Sequence, residues 1–178
     1  MVSVIACALV SSFSKFMFTK MLNEMDKVDI GGAPSWYMKP MDDKMCTFDF
    51  EKGDLQSIEI AKINAKTKMQ RKINTLVDIS IYETTKNVKD PKVIQMTQMW
   101  SDDPNLSLFV TKHLDYSKIV YEDEINTSFV RACIDAKVLT DYQQERLDII
   151  QKDIMKYKAN VALDELESEL EKNNLDFK

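Results

Sequence analysis

The sequence predicts an α+β domain: a small antiparallel sheet of about three strands packed on one long amphipathic helix, followed by an extended C-terminal helix. Three observations carry this. Apolar residues alternate with polar ones from Met45 to Glu51 and again around 119–134, the period of a strand with one buried face. From Leu55 they recur every three or four residues, the period of a helix. The last forty residues are charged and helical in pattern, with few breakers.

The first strand is Met45–Glu51, with Cys46, Phe48 and Phe50 on one face and Thr47, Asp49 and Glu51 on the other. Gly53 ends it, and Asp54 is placed to cap the next helix, because its carboxylate accepts from free backbone N–H groups of a first turn. Ile58, Ala61, Ala65, Met69, Ile73, Leu76 and Val77 form the stripe of that helix, which is expected to reach about Tyr82. Ala61 and Ala65 are small enough for close approach to the sheet. Pro91 suits the first turn of a second helix, Lys92 to about Trp100. Asp102, Asp103 and Pro104 break it, and 105–114 add a further turn or two. Ile119, Tyr121 and Ile125 and then Val130, Ala132 and Ile134 read as two strands of a hairpin turning near Asn126 and Thr127. The final helix is expected over about 141–172, with Leu147, Ile150, Ile154, Tyr157 and Val161 in its stripe before the pattern shifts to Leu163, Leu166 and Leu170. Four segments follow: an apolar start (1–22), a loop (23–44) pinned by Trp36 and Tyr37, the α+β core (45–140) and the charged helix and tail (141–178).

Composition limits the chemistry. Of 178 residues, 24 are Lys or Arg and 29 Asp or Glu, for a formal charge of −5, so the chain lacks the global positive field that draws proteins onto nucleic acid. Lys62, Lys66, Lys68, Arg71 and Lys72 cluster on the first helix but read as a solvated face opposite its apolar stripe. With 3 Gly and a single His, Gly-rich phosphate loops and multi-histidine metal sites are excluded. His113 lies in a polar stretch with no nucleophile beside it. The acidic runs Asp42-Asp43, Asp102-Asp103 and Glu122-Asp123-Glu124 lack the spaced ligands and glycine of a calcium loop. No catalytic residue and no cofactor is expected. The 11 methionines read mainly as core filling, Met69 and Met96 among them.

Cys7, Cys46 and Cys133 have no metal or redox spacing. If both apolar rows of the strands face one core, Cys46 and Cys133 lie on opposite faces of the sheet, which argues against a disulfide between them. Val2–Ser14 is an uncharged, largely apolar run, shorter than the about 20 residues that span a bilayer. Val4-Ile5-Ala6-Cys7 has the form of a bacterial lipoprotein cleavage site, yet only six residues precede the cysteine. Either the true start lies upstream and Cys7 receives lipid, or the match is accidental and Cys7 is a buried thiol of an N-terminal helix.

The stretch Ala33-Pro34-Ser35-Trp36-Tyr37-Met38-Lys39-Pro40-Met41-Asp42-Asp43 resembles the opening of the mature domain in the Lpp-twenty family of bacterial outer-membrane lipoproteins. Gly53-Asp54-Leu55-Gln56, then Ala61 and Asn64-Ala65-Lys66, continue the likeness. Tyr121–Glu124 and Phe129-Val130-Arg131-Ala132 are similar to its closing hairpin, and Leu163-Asp164-Glu165-Leu166-Glu167 to the tail of long members, including predicted lipoproteins of marine tailed phages. Pro34, Trp36, Tyr37, Pro40, Gly53, Asp54, Ala61 and Ala65 are the motif positions. Where the family has glycines at the end of the first strand, this chain has Phe48-Asp49-Phe50-Glu51. The resemblance implies a non-enzymatic envelope or virion-associated domain, lipid-anchored at Cys7, that acts through protein contacts of its sheet edge or charged helix. The competing expectation is a cytoplasmic scaffold or assembly factor without an anchor. Pairing of the C-terminal helix with another chain is compatible with either.

Overall fold

The computed structural model describes residues 31–175. Its elements run β1 (Lys44–Lys52), α1 (Ser57–Thr85), α2 (Pro91–Ser101), α3 (Leu106–His113), β2 (Asp115–Glu122), a 3-10 turn (Asp123–Ile125), β3 (Thr127–Asp135) and α4 (Ala136–Leu175). The sheet is antiparallel, in the order β1-β3-β2, so the expected α+β architecture is present. By contacts the chain divides into two units: the described residues up to Thr75 with Pro104–Leu139, and Leu76–Asp103 with the chain from Thr140 onward. α1 and α4 each contribute to both.

The first unit holds the sheet. Thr47 pairs with Ala132 and Asp49 with Val130, which places all four on the face turned to α1. Ala61, Ala65, Val130 and Ala132 form one fully buried cluster there. Without side-chain bulk at Ala65, the Thr47 hydroxyl reaches that residue's carbonyl at 2.8 Å. The opposite face carries Cys46, Phe48 and Cys133, covered by Tyr37, Met38 and Met41. Strand β1 is therefore buried on both faces from Met45 to Phe48 and at Asp49, which corrects the expectation of a half-buried strand.

The same geometry corrects the cysteine reading. Cys46 and Cys133 are direct cross-strand partners with Cα atoms 4.1 Å apart, and they form a disulfide. The two apolar rows do not face one core. Met45, Thr47 and Asp49 face the helix together with Val130, Ala132 and Ile134, while the Cys46–Phe48 row joins Phe129 and Cys133 on the other side. Residues opposite each other in an antiparallel pair share a face.

The basic face of α1 also differs from expectation. Lys68 donates to the Phe48 carbonyl at 3.0 Å and pairs with the buried Asp49 carboxylate at 2.7 Å. Lys66 reaches Thr111 on α3, and Lys62 pairs with Glu59 and lies over the Tyr116 ring. Long ammonium side chains bury their stems and keep the charge at an edge; Lys62, Lys66, Lys68 and Lys72 are half-buried in this way, and Arg71 is exposed.

Boundaries moved for local reasons. α1 starts at Ser57, after a turn in which the Asp54 carboxylate accepts from Gln56 N–H at 2.9 Å. β2 begins at Asp115, and Ile125 belongs to the 3-10 turn closed by Asn126 in the left-handed region (φ 46°). α4 begins at Ala136, five residues before the expected start, because Asp135 accepts from Lys137 and Val138 N–H.

The second unit has its own buried residues, including Val77, Ile81, Val93, Trp100, Tyr142 and Ile150. Its α2 is capped by Asp90, which accepts from Lys92 N–H, and Pro91 occupies the first turn as expected. Asp103, one of an acidic pair read from the sequence as a breaker, is buried; it accepts from the Tyr142 hydroxyl and lies 3.4 Å from Arg146 Nε. Arg146 also donates to the Trp100 carbonyl at 2.6 Å, and the Trp100 indole donates to Asp153 at 3.0 Å. Burial, together with the hydrogen bond to Asp103, pushes the Tyr142 hydroxyl far above its ordinary pKa.

Candidate interaction surface

The motif residues fall on three sides of the sheet. Pro34, Trp36, Tyr37 and Pro40 lie in the segment that covers the face away from α1. A proline cannot donate a backbone hydrogen bond and holds a fixed φ, which suits tight turns: Tyr37 N–H bonds to the Pro34 carbonyl at 2.8 Å and Lys39 N–H to Trp36 at 3.1 Å, with Met38 at φ 62°. Tyr37 then sits edge-on to Phe48 (5.7 Å) and Phe129 (5.0 Å). Ala61 and Ala65 are on the α1 side. Gly53 and Asp54 occupy the end of β1, where Gly53 adopts φ 148°, donates to the Asn126 carbonyl at 2.9 Å and accepts from the Tyr121 hydroxyl at 3.1 Å. Cys7 lies outside the described residues.

At the rim of the covered face the structure brings together residues that the motif reading did not connect. Lys118 and Arg131 are cross-strand partners, an arrangement in which like charges repel. Both lie over the Trp36 ring, Lys118 Nζ at 5.3 Å and the Arg131 guanidinium carbon at 5.7 Å from its centroid. The negative face of an indole attracts cations, so the ring offsets part of the repulsion. Arg131 Nε donates to the Ser117 hydroxyl at 2.8 Å. Among the described residues, neither Lys118 nor Arg131 forms an ion pair.

A register shift between Asp115 and Lys118 makes this possible. A bulge re-aims side chains. Tyr116 turns to the α1 side, where it packs on the alanine cluster and donates to the Lys62 carbonyl, while Ser117 comes within 3.4 Å of Cys133 Sγ and Lys118 joins Arg131. The sequence signal for such a patch was slight. Lys118 and Arg131 are ordinary strand cations until the register pairs them.

The arrangement presents two positive charges and an aromatic ring on a rigid sheet, backed by a disulfide. Such a surface can bind an acidic partner. His113 stands elsewhere, on α3, with its ring 4.9 Å from Phe109. Among the described residues no three His, Cys, Asp or Glu side chains are grouped to hold a metal ion, and no helix is long and apolar enough to cross a membrane. No protein-family model matches the chain, and no curated protein does.

Proposed function

We propose that this chain is a non-enzymatic, lipoprotein-like domain of the cell envelope or of a virion, tethered through Cys7, that works by protein contacts at its Trp36–Lys118–Arg131 face. The observation that carries the reading is the Cys46–Cys133 disulfide. Structural disulfides persist in oxidising surroundings such as the periplasm, the cell surface and virions, and are rare in the cytosol. The motif positions at Pro34, Trp36 and Tyr37 add support because they hold the segment that covers the disulfide and presents the indole. Lipid at Cys7 would require more than one acyl chain, since a single chain gives only marginal membrane binding.

The test is intact-mass and non-reducing peptide mass spectrometry on protein expressed from its native locus with upstream DNA, beside a Cys7→Ser variant. The expected result is a 46–133 linked peptide together with an acylated N-terminus at Cys7 that is lost in the variant. An unacylated chain with free thiols at 46 and 133 would overturn the reading and favour a cytoplasmic assembly factor.

A further inference from the structure

The end of α4 carries an apolar stripe that stands exposed among the described residues. From Lys158 to Lys172 every residue is exposed except the half-buried Val161. Met155, Leu163, Leu166 and Leu170 are 62, 58, 53 and 54% exposed. Together with Ala159 they follow three- and four-residue spacing and so share one face of the helix.

The charges along the same stretch are divided. Lys152, Lys156 and Lys158 precede the stripe's centre, whereas five of the eight residues from Asp164 to Glu171 are acidic. Two copies laid parallel would set acid against acid. Laid antiparallel and crossing near 161–162, they bring Lys156 of one copy level with Glu167 of the other, and Lys152 with Glu171. Ala159 and Ala162 lie at the crossing, where small side chains let two helices approach. An isolated exposed leucine is ordinary, but a row of them on one helix marks an interaction site, and the charge division selects its occupant.

We infer that residues 152–172 of α4 form an antiparallel pair with the same segment of a second copy of this chain. Sedimentation equilibrium on the full chain at low salt tests it. Wild type is expected to dimerise. Lys152→Glu/Lys156→Glu and Glu167→Lys/Glu171→Lys are each expected to weaken dimerisation at least about tenfold, by charge repulsion that salt screens, and an equimolar mixture of the two is expected to restore a dimer. Leu163→Lys/Leu166→Lys should abolish pairing, with circular dichroism confirming that the helix content is kept.

Spin labels at a Ser168→Cys position set the direction. Antiparallel helices hold them about 20 Å or more apart, since residue 168 stands level with 155 and each residue rises about 1.5 Å; parallel helices would hold them at roughly the interhelix distance of 10 Å. A wild-type chain that stays monomeric, a close label pair, or a mixture that does not associate would overturn the inference. So would a monomer whose leucines are protected by docking on its own body or that instead binds anionic phospholipid vesicles.

Discussion

Asp49 shows how one residue can tie two elements together. Its carboxylate is buried on the α1 side of the sheet, and the Lys68 ammonium meets it from a partly exposed position. Removing one partner of a buried pair leaves a charge uncompensated, whereas replacing both with apolar groups can be nearly neutral. Lys68→Met is therefore expected to cost about 2–3 kcal/mol of unfolding free energy, discounted for the exposure of Lys68, while Asp49→Val/Lys68→Met returns to within about 1 kcal/mol of wild type; urea titration measures both. Tyr142 makes a pH-dependent contribution. Burial first, then its bond to Asp103, raises its pKa in the folded chain. A group with a raised folded pKa stabilises the fold fully below its unfolded value, near 10 for tyrosine, and loses that contribution as pH rises above it. Thermal midpoints should hold steady to about pH 9 and decline above about pH 10, and Tyr142→Phe should flatten the decline.

At the scale of elements, the sheet is built from partners distant in the chain. Cys46 and Cys133 are 87 residues apart, and the bond between them holds β1 to β3 while α1, α2, α3 and β2 lie between in sequence. Cross-linking so long a loop restricts the unfolded chain. Cys46→Ala/Cys133→Ala is expected to lose about 2–4 kcal/mol, read as a lower urea midpoint; dithiothreitol should lower the wild-type midpoint by a similar amount and leave the variant unchanged. The bulge in β2 acts on the same scale. It sends Tyr116 to one face and Lys118 to the other, and thereby creates the charged pair beneath Trp36.

For the whole molecule, the division of α4 matters most. Up to Tyr157 its stripe is buried or half-buried, and from Lys158 to Lys172 the side chains are exposed but for the half-buried Val161. A chain ending at Lys158 should keep its fold, with an unfolding free energy within about 1 kcal/mol of the full-length monomer, because exposed residues away from special features contribute little. Chemical denaturation at concentrations low enough for both to be monomeric measures this. A loss of several kcal/mol would mean that the tail supports the body. The same truncation should abolish self-association, which separates the tail's role in contact from any role in stability.

The kinds of element and their order follow from the residue pattern. Periods of two and of three to four are local properties of the chain, so β1, α1, the hairpin and the stripe of α4 up to Val161 were legible. So were the alanines that let α1 approach the sheet and the proline that opens α2. Which face of β1 meets α1, and with it the Cys46–Cys133 pairing, came from packing, because the polar row of the strand is itself buried at Thr47 and Asp49 against α1 and so marks no solvent face. The bulged register of the β2–β3 hairpin likewise set Lys118 beside Arg131, and packing brought Trp36 to both, Asp49 against Lys68 and Asp103 against Tyr142. Each joins residues whose separation along the chain carries no periodic signal, and packing fixes them by requiring that buried charges and hydroxyls find partners.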